Sequence, residues 1–94
     1  MATTTAAPFT ATTEWSPREK TATIRVSGAL DESTAPRLAE LIENRLRGNL
    51  DRVVLDLSGV HTLDQAGTRA ITQARLGART RGTLLTVVPR LPDR

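Results

Sequence analysis

Three residues near the middle of the chain, Ser58, His61 and Asp64, are of the types that together form a nucleophilic hydrolase site. In such a site the histidine accepts the proton of the serine hydroxyl and the carboxylate orients the imidazole ring. A working triad is assembled by tertiary geometry, however, and no Gly-x-Ser-x-Gly turn occurs in this sequence. The spacing therefore favours turn and helix-capping roles, and hydrolysis around His61 is the weaker alternative.

Two acids, Asp31 and Glu32, stand just ahead of a predicted helix. They suit the positive end of a helix dipole, or they form an acidic patch beside a phosphate or cation site. The position favours the first interpretation. Neither "SGAL" nor "LSGV" has the glycine density of a nucleotide-binding loop.

Arginines follow one face of a second predicted helix, at Arg69, Arg75 and Arg79, and Leu76 projects about 20° from the Arg69 direction. An apolar residue among arginines suits a protein-binding surface, because arginine is enriched at interfaces. A solvated face with one exposed leucine is equally ordinary, so both interpretations stay open. Nucleic-acid binding is disfavoured, because no stacking aromatic and no basic run accompany these arginines.

The composition describes one small domain of 94 residues with a thin aliphatic core, since it has one Trp, one Phe and no Tyr. The absence of cysteine and the single histidine exclude disulfides and thiolate or multi-histidine metal sites, so we expect no metal and no cofactor. Arginine supplies 12 of the 13 basic residues, which makes the high pI a weak indicator of nucleic acid.

Neither a bilayer-spanning apolar run nor a secretory signal is found in the sequence. We therefore expect a cytoplasmic protein without membrane attachment. Residues 1–8 are expected to form a disordered tail, and residues 9–94 a single domain.

The first half of the domain predicts a hairpin and a helix. Small or apolar residues alternate over Phe9–Trp15, and Ala22, Ile24 and Val26 alternate after the turn "SPREK", which predicts two antiparallel strands. The next apolar residues recur at helical spacing: Leu38, Leu41, Ile42 and Leu46.

The ends of this first helix have their own signals. Ser33 or Thr34 is expected to cap its start, Pro36 is tolerated in its first turn, and Gly48 is expected to end it.

The second half predicts a buried strand in "RVVLDLSGV", a helix from about Ala66 to Arg79, and a last strand in "TLLTVV" that stops at Pro89. The helix directs small and apolar residues to the sheet: Ala70, Ile71, Ala74 and Ala78. The order ββαβαβ predicts an α/β fold with a mixed four-stranded sheet and helices on one face.

Three markers in this order resemble a STAS domain, the fold of bacterial anti-sigma factor antagonists and of the cytoplasmic part of sulphate transporters. They are Gly28-x-Leu30-Asp31, Asp56-Leu57 at the expected close of the central strand, and Asp64-x-x-Gly67, and the likeness covers about residues 9–90.

The resemblance implies a non-enzymatic protein that binds an anti-sigma factor, itself a serine kinase, and so frees a sigma factor for transcription. The kinase would switch it off by phosphorylating a hydroxyl in an Asp-Ser-Ser-Gly type turn. Asp31 and Asp64 carry over as the rim of that site. The second helix carries over as the docking surface, which gives the partner-binding residues Asp31, Asp64, Gln65, Ala66, Gly67, Thr68, Arg69, Thr72, Arg75, Leu76 and Arg79.

This chain departs from the family pattern in two places. The acceptor position is Ala66, so the usual hydroxyl is missing, and Thr68 is the possible substitute. The sequence also stops soon after the last strand, where family members usually continue into another helix. The alternative function is a scaffold module that forms homodimers or assembles with other STAS proteins.

Overall fold

The computed structural model describes residues 9–89. The predicted tail, residues 1–8, lies outside them, as do residues 90–94. Six elements follow the predicted order: β1 Thr10–Ser16, β2 Thr21–Leu30, α1 Ala35–Leu46, β3 Arg52–Leu63, α2 Gln65–Thr80 and β4 Leu84–Val88.

The four strands form one mixed sheet in the order β1-β2-β3-β4. β1 and β2 are an antiparallel hairpin, whereas β2, β3 and β4 run parallel and are joined by the two helices. The predicted α/β fold, with its mixed four-stranded sheet and the element order ββαβαβ, is therefore confirmed.

The central strand is longer than the sequence predicted. The apolar run "RVVLDLSGV" predicted a strand that reaches Val60, and the family resemblance placed Asp56-Leu57 at its close, but β3 continues to Leu63. The reason is that β2 keeps pairing with it: Leu30 lies opposite Leu63 at the far end of the ladder.

The core lies between the sheet and the two helices. Alternate residues of β2 and β3 point into it, as the period of a strand requires. The helices contribute Leu38, Ile42 and Leu46 from α1 and Ile71, Ala74 and Ala78 from α2, and all of these are buried. Leu41, expected in the core, is half-buried and packs at its margin.

The end of β1 corrects one expectation. Trp15 was placed on the buried face, and its pairing with Ala22 does direct it to the helix side of the sheet, yet its side chain is 51% exposed. β1 is the edge strand, and the helices pack mainly against β2, β3 and β4. Phe9, just ahead of β1, is better covered, because the Arg37 guanidinium lies 5.1 Å from its ring centroid.

The C-terminus of α1 also differs from the prediction. The helix ends at Leu46, but the residue with a left-handed backbone is Asn49, with φ of 60°, and Gly48 does not adopt that conformation. Asparagine is the residue that tolerates this region best after glycine.

The different burial of two leucines predicts that truncating them to alanine will lower the free energy of unfolding by different amounts. Leu38 is fully buried, so we expect Leu38→Ala to lower the free energy of unfolding by about 2–5 kcal/mol. Leu76 is 53% exposed, and Leu76→Ala should change it by less than about 0.5 kcal/mol. Urea denaturation measures both, and equal losses would contradict the assignment.

Candidate functional site

Two helices begin side by side, next to the C-terminal ends of the parallel strands β2 and β3. Leu30 and Leu63 are register partners at the ends of β2 and β3, and each is followed at once by an aspartate. The backbone N–H of Asp64 donates to the Leu30 carbonyl at 3.2 Å, which ties the two strand ends together. Asp31 and Asp64, with Glu32 and Ser33, line an open depression of about 450 Å³.

The first aspartate caps the turn that leads into α1. Asp31 Oδ1 accepts hydrogen bonds from Ser33 N at 3.0 Å, Ser33 Oγ at 2.8 Å and Thr34 N at 3.2 Å. In return, Thr34 Oγ1 accepts from Asp31 N at 2.9 Å, the reciprocal pattern of a capping box.

These bonds correct the predicted cap. Thr34 does precede α1, but its hydroxyl accepts from Asp31 N and donates to the Ala29 carbonyl at 2.8 Å, so it caps no amide of the helix. The coiling begins a turn earlier than α1 itself, since Ala35 N donates to the Asp31 carbonyl at 2.7 Å. Asp31 therefore supplies the acceptor that Ser33 or Thr34 was expected to supply.

The hydrogen bonds from Ser33, and then from Thr34, hold the pKa of Asp31 below its usual value.

The second aspartate and a glycine fix the start of α2. Asp64 is the N-cap, and its Oδ1 accepts from Gly67 N at 3.0 Å. A Cβ on Gly67 would lie 2.7 Å from the Leu30 carbonyl oxygen and 2.8 Å from Leu63 Cδ1. The Asp64-x-x-Gly67 marker thus combines a cap with a helix start that packs directly on the end of β2.

The turn that opens α2 is accessible. Gln65 and Thr68 are exposed and Ala66 is half-buried. The Thr68 hydroxyl donates to the Asp64 carbonyl at 3.1 Å, so it is held against the first turn of the helix.

The predicted docking residues of α2 do not form one continuous face. Arg75 and Arg79 line a groove of about 520 Å³ between α2 and β4. Leu76 lines a different groove, of about 350 Å³, between α1 and α2. Arg69 and Thr72 are exposed, and α2 is therefore a ridge that separates two grooves.

The hydrolase alternative finds no support in the hydrogen bonds. His61 Nδ1 pairs with Thr62 Oγ1 at 3.0 Å, and Asp64 caps α2. Ser58 N donates to Asp56 Oδ1 at 2.9 Å. Across residues 9–89, Ser58, His61 and Asp64 are not linked to one another. The same residues hold no group of three or more His, Cys, Asp or Glu side chains suited to a metal ion.

An ion-pair chain on the open face of the sheet was not found from the sequence. Arg25 pairs with Glu14 at 2.6 Å and with Asp56 at 3.5 Å, so it bridges three strands. Hydrogen bonds from Ser58 and then the charge of Arg25 hold the pKa of Asp56 low. Strand alternation indicates that Arg25 and Asp56 point outward, but only the register shows that they meet.

None of the helices described within residues 9–89 has the length and apolar character needed to cross a bilayer.

The capping role of Asp31 predicts a change in acid stability. The pKa of Asp31 is lowered in the folded state, so as the pH falls below about 4 the unfolded chain takes up its proton first and stability is lost. We expect the free energy of unfolding to drop less between pH 6 and pH 3 in Asp31→Asn than in the unchanged protein. Glu32→Gln, at the exposed neighbouring acid, is the control, and a full drop in Asp31→Asn would contradict the role.

The close packing at Gly67 predicts opposite effects for two glycines of α2. Gly67→Ala should destabilise the fold by about 1–3 kcal/mol, because the new methyl meets a backbone carbonyl that cannot move aside. At Gly77 the nearest atom to a new Cβ is Leu46 Cδ1 at 3.8 Å, so Gly77→Ala should stabilise by about 0.5–1 kcal/mol through helix propensity. Thermal or urea unfolding gives both values, and a neutral Gly67→Ala would be inconsistent with this packing.

Comparison with known proteins shows which family this fold is similar to. A family model described as "Mlab, STAS domain" matches residues 15–93. The structure of an antisigma-factor antagonist STAS domain from Rhodobacter sphaeroides is 30% identical, with a TM-score of 0.76 over 87% of each chain. An anti-sigma factor antagonist from Mycobacterium paratuberculosis is 23% identical, with a TM-score of 0.74 over 88% of this chain and 72% of that one.

The fold is shared more widely than the sequence. The anti-sigma factor antagonist SpoIIAA in its unphosphorylated form is 17% identical, with a TM-score of 0.72 over 88% of this chain and 76% of that one. Among curated proteins no match was found. The family match, the 30% identity and the shared fold together lead to one conclusion: the chain belongs to the STAS domain family.

Proposed function

We propose that this protein is a non-enzymatic regulator of the anti-sigma factor antagonist type. It binds an anti-sigma factor in the cytoplasm and thereby releases a sigma factor for transcription. The observation that carries the proposal is the pair of capped helix starts, which presents the exposed turn Asp64–Thr68 beside Asp31. The 30% identity to an antisigma-factor antagonist STAS domain supports the same role.

The proposed docking surface consists of that turn and the exposed side of α2. Within the turn, the Gly67 amide donates to the Asp64 carboxylate, and the Thr68 amide and hydroxyl donate to the Asp64 carbonyl. The surface is therefore held in shape before a partner arrives, which lowers the entropic cost of binding. Among residues 9–89 the arginines in ion pairs are Arg25 and Arg81, which leaves Arg69 available to an acidic partner surface. Leu76, which is 53% exposed on the side of α2 that faces α1, would be covered in the complex.

Phosphorylation is proposed to be absent from the usual position. Ala66 has no hydroxyl, and the nearby Thr68 hydroxyl is bonded to the Asp64 carbonyl within α2. A phosphate at this place would add nearly two negative charges beside Asp31 and Asp64, which is a physically sensible way to break a complex. Without an acceptor at position 66, the complex should persist in the presence of ATP.

Self-assembly is the second candidate function. Within residues 9–89, large apolar side chains are exposed at four separate places: Trp15, Leu63, Leu76, and Leu84 with Val88. Exposed apolar groups of this size favour burial against another chain, and a second STAS domain is one such chain.

The antagonist proposal is tested by mixing the purified protein with the serine-kinase-type anti-sigma factors of its own genome. We expect one of them to form a complex that ATP does not dissolve. Ala66→Ser should gain phosphate and lose that complex when ATP is added, whereas Thr68→Val should behave like the unchanged protein. Calorimetry and phosphate incorporation measure the two properties.

Two results would count against this proposal. Failure to bind any of these factors, together with a concentration-dependent rise in mass, would favour the scaffold function. Phosphate on Thr68 in the unchanged protein would keep the antagonist role but remove its independence from ATP.

A further inference from the structure

Within residues 9–89, the last strand of the sheet is paired along one side and unpaired along the other. β4 pairs with β3 and stands at the end of the strand order. The Leu84 N–H donates toward β3, to the Asp51 carbonyl at 3.0 Å. Because successive residues of a strand direct their backbone groups to opposite sides, the N–H and C=O groups of Leu85 and Val87 point away from β3. An unpaired edge of this kind is a template for another strand.

The groove beside this edge is positively charged. Among residues 9–89 it is lined by Arg75 and Arg79 from α2 and by residues 83–87, and none of these described lining residues is acidic. Neither arginine forms an ion pair within residues 9–89. On the opposite face of the strand, Leu84 is 54% and Val88 41% exposed.

We propose that the β4 edge binds an extended acidic segment of another protein by strand addition. Hydrogen bonds to Leu85 and Val87 would supply affinity. Alternate side chains of the added strand would point to the two faces of the sheet. Acidic residues would therefore meet Arg75 and Arg79 on the α2 side, and apolar residues would cover Leu84 and Val88 on the other.

Charge favours such a partner over a second copy of this chain. If two copies of the chain paired their β4 edges about a twofold axis, Arg75 and Arg79 of one copy would lie close to the same two arginines of the other copy across the dimer interface. Like charges so placed repel, and the chain already carries a net charge of +3. An acidic segment would be attracted to these arginines rather than repelled by them.

The proposal can be tested separately from the anti-sigma role, although Arg75 and Arg79 belong to both proposed surfaces. Its probe is a peptide rather than a regulator protein, and its readout lies on β4 rather than at the Asp64–Thr68 turn. A protein that binds no anti-sigma factor can still pass this test, and the reverse also holds.

The probe is a synthetic peptide of about ten residues in which glutamate alternates with valine, and the control peptide alternates lysine with valine. We expect the Glu/Val peptide to bind, with the Leu85 and Val87 amides becoming protected from hydrogen exchange in NMR spectra. The Lys/Val peptide should leave both amides unprotected.

Charge reversal supplies the matched variants. Arg75→Glu with Arg79→Glu should weaken the Glu/Val peptide about tenfold or more, because two attractive pairs become repulsive. Arg45→Glu with Arg47→Glu makes the same change in net charge on exposed residues of α1 and its end, and should leave binding unchanged.

Four outcomes would overturn the proposal: no protection of Leu85 and Val87 at saturating Glu/Val peptide, equal binding of the two peptides, equal losses in the two double variants, or both amides already protected in the free protein. Protection that instead rises with protein concentration, without peptide, would identify a second copy as the occupant.

Discussion

The contact on which this structure depends is the close approach of the start of α2 to the end of β2. Gly67 makes it possible, since any side chain there would meet the Leu30 carbonyl at less than van der Waals distance. Asp64 stabilises it twice: its carboxylate caps the Gly67 amide, and its own amide donates to Leu30. The position of the turn that follows, and therefore the proposed docking surface, depends on this contact between helix and strand.

The two acids of the possible binding motif, Asp31 and Asp64, also stabilise the fold next to this contact. Asp31 and Asp64 occupy equivalent positions after paired strand ends, and each accepts backbone amides at the start of a helix. A carboxylate held in this way remains a fixed negative charge at the surface. If the proposed docking surface is correct, the same two side chains serve both structure and recognition, and replacing either should affect both.

Much of the fold could be predicted because the period of the apolar residues changes cleanly along the chain. Ala22, Ile24 and Val26 alternate, whereas Leu38, Ile42 and Leu46 follow helical spacing, and all six are buried. The misses have physical reasons. Trp15 lies on the expected face, but the edge position of its strand leaves it uncovered. The extension of β3 to Leu63 depends on its pairing with β2, which no local pattern records.

The candidate site was predictable in its residue types but not in its arrangement. The Asp64-x-x-Gly67 spacing indicates a cap, yet the reason for the glycine appears only when Leu30 is brought beside it. The arginines of α2 looked like one face with Leu76. The packing of β4 and α1 on either side separates them, because Arg75 and Arg79 line the groove beside β4 and Leu76 lines the groove beside α1. The grooves on a helix surface are formed by neighbouring elements that are distant in sequence, so the local sequence does not predict them.

We propose that the paired helix starts and α2 together form the docking surface for an anti-sigma factor. Amide chemical-shift mapping during titration with the anti-sigma factor that binds tests it most directly. We expect the perturbed amides to cluster in residues 31–34 and 64–79. Perturbations centred on the open face of the sheet, around Arg25 and Asp56, with α2 unaffected, would contradict it.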